Sequence, residues 1–154
     1  MRMRVIPTRV HGVFDLVTGP TLAAAPNLLR LNGARRSTLP PRLTGLLGTG
    51  LSAMTDYETG AVRVVPMKAH LVFDGASGAA LASTPWLSGA ARNGLRHWLP
   101  HAVIGLTEIA LAIATRTEPG DRRRSRTPWL LGGLAVAGVG LAGAVAARRL
   151  VGDD

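Results

Sequence analysis

An internal duplication constrains the fold of this chain more than any other feature of its sequence. Residues 11–28 align with residues 70–87 at an offset of 59, and nine of these eighteen positions are identical. The match continues at an offset of 60, where Leu99 and Pro100 repeat Leu39 and Pro40. Matched His, Phe, Asp and Pro in one register are not a product of a composition rich in Ala, Gly and Leu. The sequence therefore predicts two copies of one structural unit.

Apolar blocks divide each copy into two predicted helices, and a fifth block follows the second copy. The blocks are residues 10–31, 43–57, 69–91, 102–115 and 129–147. A helix needs about 20 residues to cross a bilayer, within a range of about 17–25. The first, third and fifth blocks reach that length. The second and fourth approach it if the prolines at 40–41 and 100 occupy the first turn, where the missing N–H has no partner to lose.

These blocks predict an all-α fold, namely an integral membrane helical bundle of two parallel two-helix repeats plus one appended C-terminal helix. The first repeat is assigned to residues 1–60 and the second to residues 61–120, and residues 121–154 form a basic linker and the last helix. A soluble bundle of buried Ala-rich helices is the alternative, but no block has the wide polar face of a surface helix.

The charge distribution predicts how the chain lies in a membrane. Two helices per repeat bring equivalent ends of the copies to the same side. Ten basic residues then fall on the side of the amino terminus and eight on the other side. This small excess favours a multi-pass protein of the cell inner membrane with a cytoplasmic amino terminus.

The composition indicates lipid as the main partner. Hydrophobic residues make up 47% of the chain and charged residues 18%, with a net charge of +9. Nucleic acid is not expected as a partner, because the arginines lie between apolar blocks and aromatic residues, at 4%, are too few to stack on bases. In the last block, Gly138, Ala142 and Ala146 recur at a spacing that lets helices approach closely. That face can pack within the chain, in a homo-oligomer or against a partner in a membrane complex.

Two His–Asp pairs occupy equivalent positions of the two copies. His11 and Asp15 are four residues apart, as are His70 and Asp74, so each pair shares one helix face. Parallel repeats place both pairs at the same depth. Three roles are open for them: a packing device near the start of a helix, a divalent metal site and a path for protons.

Glu108 is the unusual charge of the second copy, because it lies in the middle of an apolar block and its repeat equivalent is Gly48. A carboxyl group inside a membrane is costly and indicates a functional role by default. A proton on Glu108, or a bond to Thr107 or to a backbone carbonyl, is the structural alternative. With both helices centred in the bilayer, Asp74 is expected about 7 Å from the level of Glu108, which argues against a shared site.

A motif at the end of the third block resembles the SPW-repeat family of small bacterial and archaeal membrane proteins. The resemblance rests on Asp74, Gly78, Leu81 and the run Ser83-Thr84-Pro85-Trp86, and it extends over about residues 10–116 as two copies. The second copy has a threonine inside the Ser-Pro-Trp motif, and the first keeps only Pro26. The resemblance implies a two-plus-two helical membrane architecture and no established activity.

The motif also has a physical interpretation of its own. Pro85 removes a backbone donor, and Ser83 or Thr84 is expected to bond the carbonyl that it frees. Trp86 is expected at the membrane interface.

The sequence predicts a small polytopic membrane protein that is a structural or accessory component and not an enzyme. No Ser–His–Asp order, phosphate loop or His-Glu-x-x-His run is present, and no cofactor is expected. The alternative is a small protein that handles ions, protons or metals through Glu108 and the two His–Asp pairs. His97 and His101 are a weaker candidate pair, because Pro100 lies between them.

Overall fold

Four α-helices build the part of the chain that the computed structural model describes, residues 4–31 and 34–120. They are α1 (Thr8–Leu28), α2 (Arg35–Met54), α3 (Met67–Leu87) and α4 (Leu99–Ala114), with two short 3-10 segments at Ala90–Asn93 and Leu95–His97. Helix α1 packs against α2, α3 packs against α4, and α2 also contacts α3. The prediction of an all-α bundle of paired helices is confirmed. The predicted last helix, residues 129–147, lies outside the described residues.

The two helix pairs cross at equivalent glycines. A Cβ atom on Gly45 would overlap the backbone of Gly19 in the first pair, and one on Gly105 would overlap the backbone of Gly78 in the second. The helix backbones are thus in direct contact at both crossings. Close approach over small residues is the usual way in which helices associate in lipid.

Two reciprocal bridges join the repeats. Just before α1, Ile6 pairs in parallel with Thr115, which follows α4; just before α3, Val65 pairs in the same way with Thr55, which follows α2. Because each bridge connects the start of one repeat to the end of the other, the first turns of α1 and α3 lie beside the last turns of α4 and α2.

The start of α2 differs from the sequence prediction. The helix begins at Arg35, so Pro40 and Pro41 lie inside it and do not form its first turn. The carbonyl of Ala34 accepts hydrogen bonds from the backbone N–H groups of Ser37 and Thr38, which closes a complete turn ahead of the prolines. By contrast, α4 begins at Leu99 with Pro100 in its first turn, as the sequence indicates.

The motif at the end of α3 has a different hydrogen-bond pattern from the one expected. Ser83 Oγ donates to the carbonyl of Ala79 at 2.8 Å and Thr84 Oγ1 to that of Ala80 at 2.6 Å. The carbonyl that Pro85 frees, four residues earlier, is not their acceptor, because a helical hydroxyl reaches the carbonyl three or four residues before its own residue. Trp86 is 55% exposed and lies against Trp98, with ring centroids 5.5 Å apart.

Pro26, the repeat equivalent of Pro85, is buried near the end of α1, as Pro85 is buried near the end of α3. The two prolines therefore occupy matching places in the two copies, although the serine and tryptophan of the motif are present only in the second.

Many large apolar side chains of the bundle are exposed, and several polar side chains are buried together with a small apolar core. Large apolar side chains are exposed on all four helices: Val10, Phe14, Leu16, Leu39, Leu43, Leu46, Leu47, Val72, Leu87, Val103, Leu106 and Ile113. Polar side chains are among the most buried: Thr8, His11, Ser37, Thr55, His70 and Thr115. In the described part of the chain, one helical stretch, Leu95–Ala114, is long and apolar enough to cross a membrane by length and composition.

Candidate metal centre

The two His–Asp pairs meet between the repeats and form one cluster. His11 Nε2 lies 2.9 Å from Asp74 Oδ2, and His70 Nε2 lies 3.1 Å from Asp15 Oδ2. Within each helix the histidine also approaches its own aspartate, at 3.4 Å in α1 and 3.0 Å in α3. The closest contact of His11 therefore crosses from one repeat to the other. The structure brings both pairs together in one cluster, while their depth in a membrane stays a prediction.

Both histidines are fully buried, and each is held by a threonine at the end of a helix from the other repeat. His11 Nδ1 lies 2.8 Å from Thr115 Oγ1, and His70 Nδ1 lies 2.8 Å from Thr55 Oγ1. Each hydroxyl donates its own proton to the carbonyl four residues earlier, that of Leu111 at 2.6 Å or Leu51 at 2.7 Å. The hydroxyl oxygens must therefore accept, and both imidazoles carry a proton on Nδ1.

With Nδ1 bonded to a threonine, Nε2 of each ring faces the carboxylates of the cluster. A neutral imidazole with its proton on Nδ1 has a lone pair on Nε2, which is the atom that ligates a metal ion. A group that fixes the opposite ring nitrogen is the usual partner of a metal-bound histidine. The threonines thus orient His11 and His70 for coordination.

One atom of the cluster lacks a hydrogen bond. His70 Nε2 is buried and has no partner of hydrogen-bond geometry among the described residues, although it lies 3.0 Å from Asp74 Oδ2 and 3.1 Å from Asp15 Oδ2. Buried polar atoms are rarely left in this state, so Nε2 of His70 is available as a ligand next to the two carboxylates.

Tyr57 distinguishes the two carboxylates of the cluster. Its hydroxyl donates to Asp15 Oδ2 at 2.8 Å, and the repeat equivalent of Tyr57 is Thr117, which forms no such bond. Burial and the charge of Asp15 raise the pKa of Tyr57 well above its ordinary value. Tyr57 therefore stays protonated and holds one oxygen of Asp15 in place.

The donor set and its dimensions fit a transition-metal ion. One ligand atom from each of His11, Asp15, His70 and Asp74 lies within 4.8 Å of the others. Around an ion with bonds of about 2.0–2.1 Å, tetrahedral ligands lie about 3.4 Å apart, close to the nitrogen–oxygen distances of the cluster. Imidazole and carboxylate together suit ions such as Zn²⁺, Fe²⁺ or Mn²⁺. The alternative to a metal ion is a proton on Nε2 of each histidine.

Glu108 lies beside this cluster, which the sequence did not indicate. It lines one cavity together with His11, Asp15 and Asp74. The expected offset of about 7 Å assumed that α3 is centred near residue 80. The helix in fact covers Met67–Leu87, so its centre lies nearer to Asp74. Glu108 lies against Gly78, one helical turn from Asp74, so the expected offset between Glu108 and the level of Asp74 stays a prediction.

His97 and His101 are not part of the cluster. Both are buried near the start of α2, and Ser37 Oγ lies 2.9 Å from His97 Nδ1. Neither belongs to a group of three or more potential metal ligands in the described residues. The contact of His97 joins the segment before α4 to α2, whereas both ring nitrogens of His101 are buried without a hydrogen-bond partner among the described residues.

Thr55, Thr115 and Tyr57 are the site residues that the sequence did not identify. The sequence carried one signal for the threonines, because they match across the two copies at an offset of 60. Polar residues that are matched in a duplicated chain are candidates for a shared site, even where they lie far from the His–Asp motif along the sequence. Tyr57 has no such match and gave no signal.

Comparisons with protein families, with curated proteins and with solved structures give no match to this chain. The likeness to the SPW-repeat family therefore stays a prediction that rests on the motif residues.

Proposed function

We propose that this chain is a small multi-pass membrane protein that binds and handles one divalent transition-metal ion at the interface of its two repeats. The observation that carries the proposal is the convergence of two Nε2 atoms and two carboxylates, with both Nδ1 atoms bonded to threonines. The site is buried, and all of its parts come from equivalent positions of the two copies.

The exterior of the bundle supports the membrane location. Valine, leucine and phenylalanine side chains are exposed along all four helices, and several hydroxyl and imidazole groups are buried together with apolar residues such as Leu22 and Leu81. Helices α1, α2 and α3 have 20 or 21 residues, which corresponds to about 30 Å at 1.5 Å per residue. This length matches the hydrocarbon core of a bilayer. Lipid is thus the solvent that these faces fit.

The charge of the cluster supports a cation as its occupant. Asp15 and Asp74 bring two carboxylates into a mostly buried space, with side chains 15% and 13% exposed. Unpaired charges in such a place are strongly unfavourable. One divalent ion offsets both carboxylates and also accepts the two Nε2 lone pairs, whereas without a metal the same charges require a second proton on the imidazoles.

A purely structural role is the second candidate, and one contact favours it. His11 Nε2 and Asp74 Oδ2, 2.9 Å apart, satisfy hydrogen-bond geometry. With a second proton on each imidazole, the cluster becomes a network of ion pairs that fastens the two repeats together. The protein is then a structural or accessory membrane component without a metal.

Cobalt titration distinguishes the two roles. The purified protein in detergent is titrated with Co²⁺, which serves as a coloured probe for a His and carboxylate site. We expect one ion per chain, with visible absorption bands that reach a plateau at one equivalent. A protein that takes up no Co²⁺ from pH 6 to pH 8, or takes it up without saturation, contradicts the metal proposal and favours the ion-pair network.

Alkaline extraction tests the membrane location. Membranes from cells that express the protein are washed with carbonate buffer at high pH, which removes peripheral proteins. The chain is expected to stay in the membrane pellet, because its exposed apolar faces have no stable place in water. Release into the supernatant, together with a monodisperse state without detergent, would show that the bundle is water-soluble.

A further inference from the structure

A small cavity with several polar residues in its lining opens beside the His–Asp cluster. Its volume is about 40 Å³, room for about three or four water molecules at about 10–15 Å³ each. Besides the cluster, it is lined by hydroxyl groups and by one further carboxyl group: Thr18, Thr44, Ser52, Thr107 and Glu108. These oxygen atoms can replace part of the hydration shell of a cation.

Glu108 is the one acidic side chain in the lining that is not part of the cluster. Its Oε2 atom is buried and has no hydrogen-bond partner among the described residues. The cluster is complete without Glu108, since its four ligands come from α1 and α3 while Glu108 comes from α4. Glu108 also breaks the symmetry of the repeats, because its equivalent Gly48 lines the same cavity without a side chain.

We propose that Glu108 is a transfer ligand, which holds the divalent ion in passing as the ion moves between this cavity and the His–Asp cluster. The inference rests on the proposed metal site. A carboxylate on the path of entry lowers the free-energy barrier to metal binding. It replaces water molecules that the hydrated ion loses before the buried ligands coordinate it. The cluster then exchanges its metal, which a purely structural site does not need to do.

The test is the rate of metal exchange. Protein loaded with Co²⁺ in detergent is mixed with excess EDTA in a stopped-flow instrument, and the loss of the visible bands gives the dissociation rate. Glu108→Gln is expected to slow dissociation and uptake about tenfold each, which corresponds to about 1.4 kcal/mol in each barrier. The equilibrium affinity, as the ratio of the two rates, stays within about threefold.

Two further variants make the test specific. Glu118→Gln removes an exposed carboxylate outside the cavity and is expected to leave both rates unchanged. Gly48→Glu in the Glu108→Gln background returns a carboxylate to the cavity from the opposite helix, since a side chain at Gly48 meets no atom within 4 Å. We expect this double variant to recover most of the lost rate.

Each outcome has a distinct meaning. Rates in Glu108→Gln within twofold of wild type overturn the transfer role and leave the metal site standing. A large loss of affinity in that variant also overturns it, because Glu108 is then a ligand of the resting site. A wild-type protein that binds no Co²⁺ overturns the proposed function itself and this inference with it.

Discussion

The His11→Ala/His70→Ala variant is expected to lose its bound metal. Both imidazoles place Nε2 within 3.4 Å of the cluster carboxylates, and their removal leaves two carboxylates as the remaining ligands. We expect the affinity for Co²⁺ to fall at least about a thousandfold, equivalent to about 4 kcal/mol of binding free energy. The measurement is metal content after gel filtration, compared with the wild-type protein and with His97→Ala, which removes a buried histidine outside the cluster.

A gentler variant separates loss of metal from loss of fold. Thr55→Val with Thr115→Val keeps all four ligands and removes only the hydroxyls that hold the imidazoles. Partners of this kind are worth about 10–100-fold in metal affinity, and we expect a decrease of that size with helix content unchanged. If this variant binds metal as tightly as wild type, the threonines do not orient the ligands and the argument from the tautomer is incorrect.

The Gly45→Ala variant is expected to disrupt the bundle. A single methyl group at this position overlaps backbone atoms of Gly19 and Ala23, and a backbone cannot move aside as a side chain can. The helices of the first pair must separate, at a cost of about 3 kcal/mol or more. The measurement is the thermal unfolding of the protein in detergent, together with its recovery as a monodisperse species.

Gly50→Ala is the matched control, because it lies in the same helix and a Cβ atom there meets nothing within 4 Å. Alanine is favoured over glycine inside a helix by about 0.5–1 kcal/mol, so this variant is expected to be as stable as wild type or more so. Equal unfolding temperatures for the two variants would mean that α1 and α2 do not meet at Gly45.

The duplication predicted the plan of the fold and the composition of the site. Helical spacing placed His11 with Asp15 and His70 with Asp74, and the structure brings these two pairs together. The exchange of partners between copies could not be predicted, since periodicity along a helix describes only neighbours within that helix. Which helix faces which is decided by the packing of the glycines, and no local pattern reports it.

The errors have a common origin in the ends of the helices. The sequence placed the start of α3 two residues too late and its end four residues too late. It also placed Pro40 and Pro41 in the first turn of α2, which begins at Arg35. Apolar content marks the middle of a helix well and its ends poorly, because terminal turns are held by local hydrogen bonds.

The reciprocal bridges have a consequence for the origin of the site. Each half of the chain contributes one histidine, one aspartate and one threonine, and each histidine takes its threonine from the other half. No half contains a complete set of contacts. The smallest ancestor able to form this centre is therefore a pair of identical two-helix chains, with the centre on their symmetry axis. Fusion of the two genes then freed each half to diverge, and Glu108 and Tyr57 are differences that an exactly symmetric dimer could not have acquired on one side alone.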